Sequence, residues 1–252
     1  MIASARRIFR LPRERSSLGI LTFSFLLAVI SALNFKLTLL IAASSSFLLF
    51  LLTFDFLFEN SMKPLSASYL TALSLDAVPI AASIALRGFI VLEGLIPSLT
   101  CTALYLYLAA ERKGRSVKGM VLGSSILAGL YFYFDSVLGS LSPFSIAVGF
   151  MLFIYNAAEV VYVESRLAFR KVSPKIPLAV FLASFLSLVY LPYYFAVPLL
   201  EPLFKNALNA LRNEKISRYE EISELGLKEF IRYSVFFALL CSASLIYELK
   251  LL

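Results

Sequence analysis

Residues 37–58 read LTLLIAASSSFLLFLLTFDFLF, 22 residues with a single charge, Asp55. A membrane-spanning helix needs about 20 mostly apolar residues to cross a hydrocarbon core of about 30 Å. This stretch has that length and holds neither Pro nor Gly. It also lacks the period-two alternation of a barrel strand. Since lipid offers the backbone no hydrogen bonds, only helices and closed barrels span it, and the run reads as a helix. Comparable runs stand at about 18–34, 66–86, 89–110, 119–138, 144–163, 176–191 and 229–249.

Composition agrees. The 252 residues are 60% hydrophobic and 15% charged, with a mean hydropathy of +0.86. Soluble domains carry about 45–50% apolar and roughly 25% charged residues. A soluble globular domain, a disordered chain and a secreted disulfide scaffold are excluded. There is no His, the commonest general base and metal ligand. Cys101 and Cys241 lie in separate apolar runs and read as small buried hydrophobes. Without Trp, an interfacial aromatic belt must use Tyr and Phe. The arm with Arg6, Arg7, Arg10, Arg13 and Arg15 resembles the start of a signal peptide, but a second apolar run follows Leu33 almost at once. The first run therefore reads as a retained span.

The net charge is +7, from 23 Lys and Arg against 16 Asp and Glu. Nucleic-acid binding would need a basic face on a soluble module. Here the basic residues occupy short gaps between apolar runs, so no nucleic-acid partner is expected. Residues 192–212 hold Pro192, Pro198 and Pro202 together with Glu201 and Lys205. They read as a ninth, kinked span or an interfacial helix. Glu201 and Lys205 are four apart, so a helix would put them on one face as a pair. With nine spans and the N-terminus cytoplasmic, 19 of the 23 basic residues fall on the cytoplasmic side. That satisfies the positive-inside rule; eight spans weaken the bias. Residues 1–252 thus read as one integral domain of the plasma membrane, with a basic cytoplasmic arm at 1–17 and a polar loop at 213–228 whose charges suit a solvated linker helix. The steps Gly119/Gly123 and Ala42/Ser46 mark close helix packing.

Three features could carry chemistry. Asp76, Glu93, Asp135 and Glu159 fall inside spans, where ionisable groups are costly and often functional. Asp55 and Glu59 lie one helical turn apart at the end of the second span, and could hold a divalent cation and through it a diphosphate. At the end of the sixth span stand Asn156, Glu159 and Glu164, then Arg166, Arg170 and Lys171. The favoured topology puts both ends on the cytoplasmic side with Lys63 and the loop Arg112, Lys113, Arg115. The positive-inside rule alone also accounts for every one of these basic residues.

Several of these segments resemble known families. Leu11-Pro12-Arg13-Glu14-Arg15-Ser16-Ser17-Leu18-Gly19, Ala110-Glu111-Arg112-Lys113-Gly114-Arg115-Ser116 and Tyr162-Val163-Glu164-Ser165-Arg166 resemble the YwiC-like integral membrane family. Of that family's opening Pro-x-Glu/Gln-His-Gly-Ala-Trp pattern, Pro12 and Glu14 are present. The chain also resembles the wider UbiA-type prenyltransferases: Lys63-Pro64-Leu65-Ser66 is similar to the Arg-Pro-Leu segment after their first motif. Ser223-Glu224-Leu225-Gly226-Leu227-Lys228-Glu229 is similar to the Leu-Gly-x-x-Glu start of their last helix. That resemblance implies nine helices around a cavity open to the bilayer, and two Asp-rich motifs holding Mg²⁺ and a prenyl diphosphate. The first motif's Asn-Asp-x-x-Asp-x-x-x-Asp is reduced here to Asp55 and Glu59, with Leu51 and Leu52 in place of Asn-Asp. The second is reduced to Asn156, Glu159 and Glu164 at a different spacing.

The expectation is an all-α, polytopic transmembrane bundle of eight or nine helices, UbiA-like in layout, that accommodates an isoprenoid or other lipid. As a divergent prenyltransferase, it would hold Mg²⁺ on Asp55 and Glu59. Asn156, Glu159 and Glu164 would complete the catalytic site, and Lys63, Arg112, Lys113, Arg115 and Arg166 would bind the isoprenoid diphosphate. The alternatives are a transporter using Asp76, Glu93, Asp135 and Glu159 as a polar path, or a non-catalytic membrane scaffold.

Overall fold

The computed structural model describes residues 15–33, 35–61, 66–139 and 141–250. Nine α-helices follow one another among them: α1 (Arg15–Ser31), α2 (Leu37–Glu59), α3 (Ala67–Arg87), α4 (Ile90–Ala110), α5 (Val117–Leu138), α6 (Pro143–Arg166), α7 (Ile176–Leu182), α8 (Val197–Arg212) and α9 (Tyr219–Glu248). Two 3-10 segments, Ala183–Val189 and Tyr193–Ala196, join α7 to α8. The described residues contain one isolated β-bridge, Leu167 to Ile216, and no strand. The fold is the all-α one expected.

Helices α2 to α6 and α9 are long and apolar enough to cross a membrane. Their exposed residues are largely apolar, among them Leu37, Ile41, Val78, Ile96 and Leu99. A face of that kind is stable against lipid and not against water, so the chain is a multi-pass membrane protein. One detail departs from the sequence reading. The run at 176–191 is not one regular helix, because it tightens to 3-10 geometry from Ala183. The polar segment 213–228 is a loop to Arg218 and helical from Tyr219, where it forms the first turns of α9 rather than a separate linker helix. At 1.5 Å per residue the 30-residue α9 reaches about 45 Å and the 16-residue α8 about 24 Å.

The chain divides into two compact units, Met1–Ser142 and Pro143–Leu252. In the first, α5 is central: 78% of its apolar window is buried, against 28% for α3. It packs on α1, α2, α3 and α4. Small residues allow this. A Cβ on Gly94 of α4 would lie 2.5 Å from the Phe132 carbonyl oxygen of α5, and one on Gly129 would lie 2.8 Å from Ser98 Oγ. The α4 and α5 backbones therefore approach at these glycines, and Ser98 Oγ donates to the Ile126 carbonyl at 2.9 Å. The sequence step Gly119/Gly123 serves differently: Gly119 packs on the Gly114 peptide of its own loop, and Gly123 on the Phe58 ring. The Ala42/Ser46 step does face α5, where Ser46 Oγ and Tyr133 OH share a 2.6 Å hydrogen bond. Ser83 of α3 reaches the same hydroxyl at 3.1 Å.

In the second unit α6 packs against α7, the following 3-10 segment and α9, and α8 packs on α7 and α9. Helix α8 is reversed relative to a soluble amphipathic helix. Its buried face carries Pro198, Leu199, Pro202, Lys205, Asn206 and Asn209. Its exposed face carries Val197, Leu200, Phe204, Leu208 and Leu211. These positions recur every three or four residues, so the helix has an apolar stripe, and lipid rather than the protein interior receives it.

Candidate functional site

Helix α6 carries Glu159, Tyr162 and Arg166 at i, i+3 and i+7, one face of the helix. Against it α8 sets Lys205, and α9 sets Glu229 and Arg232. Lys205 is 7% exposed, as is Glu159, and Glu229 is 6% exposed. The Lys205 ammonium pairs with Glu159 Oε1 and lies 2.7 Å from Glu229 Oε2. It also lies 4.4 Å from the centre of the Tyr162 ring, within cation–π range. The other Glu229 oxygen is 2.7 Å from an Arg232 nitrogen, and Arg232 Nε is 3.2 Å from Glu201 Oε1. The cluster holds three carboxylates and two cations, linked through Glu229. Buried charges are tolerated only when paired and hydrogen-bonded in this way.

Beside the cluster opens a cleft of about 190 Å³, lined by Tyr162, Arg166, Lys205, Leu208, Asn209, Arg212, Glu214 and Arg232. Four of these are cations and one is an acid. Arg166 is held by Glu214 through two nitrogens at 3.2 and 3.3 Å from one oxygen. Arg212 is exposed and has no ion-pair partner among the described residues. The loops at this end are tied together. Ile216 N donates to the Arg166 carbonyl at 2.8 Å, Lys215 Nζ to the Ser165 carbonyl at 2.5 Å, and Asn209 Nδ2 to Ser165 Oγ at 3.1 Å. An anion entering the cleft would meet Arg212 and Arg166 over a charge-paired floor.

The residues singled out from the sequence fall into two groups. Asn156, Glu159, Glu164 and Arg166 belong to the second unit. Arg166 lines the cleft, Glu159 reaches it only through Lys205, Asn156 is buried in α6, and Glu164 is 2.7 Å from Arg170 Nε in a separate ion pair. Asp55, Glu59, Arg112, Lys113 and Arg115 belong to the first unit. Asp55 is buried and Glu59 exposed, so the two carboxylates stand in different surroundings. Arg112, Lys113 and Arg115 are exposed, and Lys113 Nζ is 2.8 Å from Glu111 Oε2. That hydrogen bond, with a second from Tyr107, holds the Glu111 carboxyl below its ordinary pKa. Lys63, Pro12 and Glu14 lie outside the described residues. Among the described residues no three His, Cys, Asp or Glu side chains come together as a metal site.

One expected contact is replaced. Glu201 and Lys205 share a helix yet do not pair; each reaches a different element, Lys205 to α6 and α9, Glu201 to Arg232. Lys205 lies on the buried face of α8 and Glu201 on the exposed side, which separates them. The sequence reading did not place Lys205, Arg212, Glu229 and Arg232 in a site. The signal was present in α8, where Lys205, Asn206 and Asn209 share one face and Phe204, Leu208 and Leu211 the other. No protein-family model matches this chain, and no curated protein or solved structure matches it.

Proposed function

We propose that this membrane protein binds an amphiphile with an anionic phosphate headgroup, an isoprenoid diphosphate in the first instance, at the α6–α8–α9 cleft. The cation-rich lining carries the reading, and above all Arg212, which has no carboxylate of its own. Guanidinium groups bind phosphate oxygens through charge-assisted, often bidentate hydrogen bonds. Leu208 lines the same cleft and is 47% exposed on the lipid-facing stripe of α8. A headgroup in the cleft would thus leave its tail running along Leu208 and Phe204 in lipid.

The likeness to UbiA-type prenyltransferases belongs to this proposal, and so does catalysis. Mg²⁺ takes one or two carboxylates plus substrate phosphates. Asp55 and Glu59 supply that number only if their unlike surroundings converge, so no step is derived through a metal. The supported core of the proposal is phosphate-headgroup binding.

Isothermal titration of the detergent-solubilised protein tests it, with farnesyl diphosphate, farnesol and inorganic pyrophosphate as ligands. Farnesyl diphosphate is expected to bind, and farnesol far more weakly. Pyrophosphate separates recognition of the head from recognition of the whole lipid. Arg212→Ala should weaken farnesyl diphosphate roughly tenfold or more, since a hydrogen bond to a charged group contributes about 1.5–3 kcal/mol. Equal binding of farnesol and its diphosphate, or an unchanged affinity in Arg212→Ala, would sink the assignment.

A further inference from the structure

The first unit holds a pocket of about 180 Å³ whose lining residues all come from α2, the turn after it, α3, α4 and α5. Its walls include five aromatic side chains, Phe50, Phe54, Phe58, Tyr69 and Tyr105. Three of the rings stack in a row: Phe54 and Phe58 lie 5.8 Å apart, and Phe58 and Tyr105 5.0 Å. Among the described residues one carboxyl lines the pocket, that of Asp76, which is 8% exposed, and no Lys, Arg or Glu does.

Asp76 has too few donors. Thr53 Oγ1 lies 2.9 Å from both its carboxylate oxygens and also 2.9 Å from the Leu49 carbonyl. A threonine hydroxyl has one proton, so it satisfies at most one of these three acceptors at a time. A buried carboxylate left in this state demands a partner, and the described residues of the pocket supply no cation. The faces of aromatic rings are themselves attractive to cations. The mouth is flanked by Leu73 and Leu99, both lining residues and both exposed, so the pocket is reached from the lipid-facing side of α3 and α4.

We propose that this pocket binds a lipophilic organic cation, its ammonium charge against Asp76 and its apolar groups against the aromatic wall. Asp76 provides the charge recognition and Thr53 orients the carboxylate. The site is independent of the anion cleft, since none of its residues lines it. Ligand size is limited by the volume to one ring with a small substituted ammonium.

Two ligands of the same shape decide the matter on the full-length protein: benzyltrimethylammonium and its uncharged carbon analogue neopentylbenzene. Stabilisation against thermal unfolding in detergent is read over a concentration series of each. The cation is expected to act at concentrations at least tenfold lower than the neutral analogue, and Asp76→Asn should abolish that preference. Equal potency of the two compounds on the parent protein overturns the proposal, and this comparison stands even if the variant fails to fold. A folded Asp76→Asn protein that retains the preference overturns it as well.

Discussion

Lys205→Met is expected to lower the stability of the protein by about 3–5 kcal/mol, the cost of leaving buried charge unpaired after one partner is removed. The substitution keeps a long apolar stem and deletes only the ammonium, so the loss reports charge rather than packing. Glu229 retains Arg232 at 2.7 Å, whereas among the described residues Lys205 is the one cation within ion-pair distance of Glu159. Adding Glu159→Gln to Lys205→Met should therefore restore the greater part of the loss. Lys113→Met is the control: Lys113 pairs with Glu111 in the open, and its removal should leave the unfolding midpoint where it was. The measurement is reversible unfolding in mixed micelles. A loss under about 1 kcal/mol for Lys205→Met, the range of an exposed pair, would mean that water reaches the cluster.

The second large effect concerns a single methyl group. Gly94→Ala is expected to destabilise by about 1–3 kcal/mol, the usual cost of overpacking. The new Cβ would sit 2.5 Å from the Phe132 carbonyl oxygen, a backbone atom that moves only if α4 and α5 separate. The same substitution at Gly226 should do the reverse. Gly226 lies within the exposed first turns of α9, and nothing stands within 4 Å of its ideal Cβ. There the helix preference of Ala over Gly, about 1 kcal/mol, acts without a clash. Opposite signs for the two variants in one unfolding assay are the expected outcome; a neutral Gly94→Ala would show that the helices yield easily.

Much of the fold was legible because membrane insertion responds to local properties. Run length and hydropathy located α2 to α6 within a few residues. The pairing of small residues was less legible. Gly119/Gly123 looked like the packing step, and Gly123 does pack on Phe58 of α2, but α4 and α5 approach at Gly94 and Gly129, which no spacing within one helix marked. The polar segment before α9 read as a separate solvated linker because its charges hide its helical continuity with the apolar run that follows.

The candidate site was legible only in part. Glu159 and Arg166 were singled out for standing in or beside a span; Arg166 lines the cleft, and Glu159 pairs with the cleft residue Lys205. Lys205 was assigned to its near neighbour Glu201, because four residues on a helix is the only contact that spacing can propose. Its actual partners are 46 and 24 residues away in sequence. Pairing over such separations depends on which faces of three helices meet.

The sequence by itself determined that this is a multi-pass helical membrane protein, since the cost of placing a segment in lipid depends on that segment's own length and composition. Only the tertiary structure decided which side of each helix faces inward. In water the apolar stripe of α8 would be buried; in lipid that stripe is exposed and its Lys and Asn face inward. The buried charges then had to be neutralised by whichever helices packed against them, and α6 and α9 supplied the carboxylates.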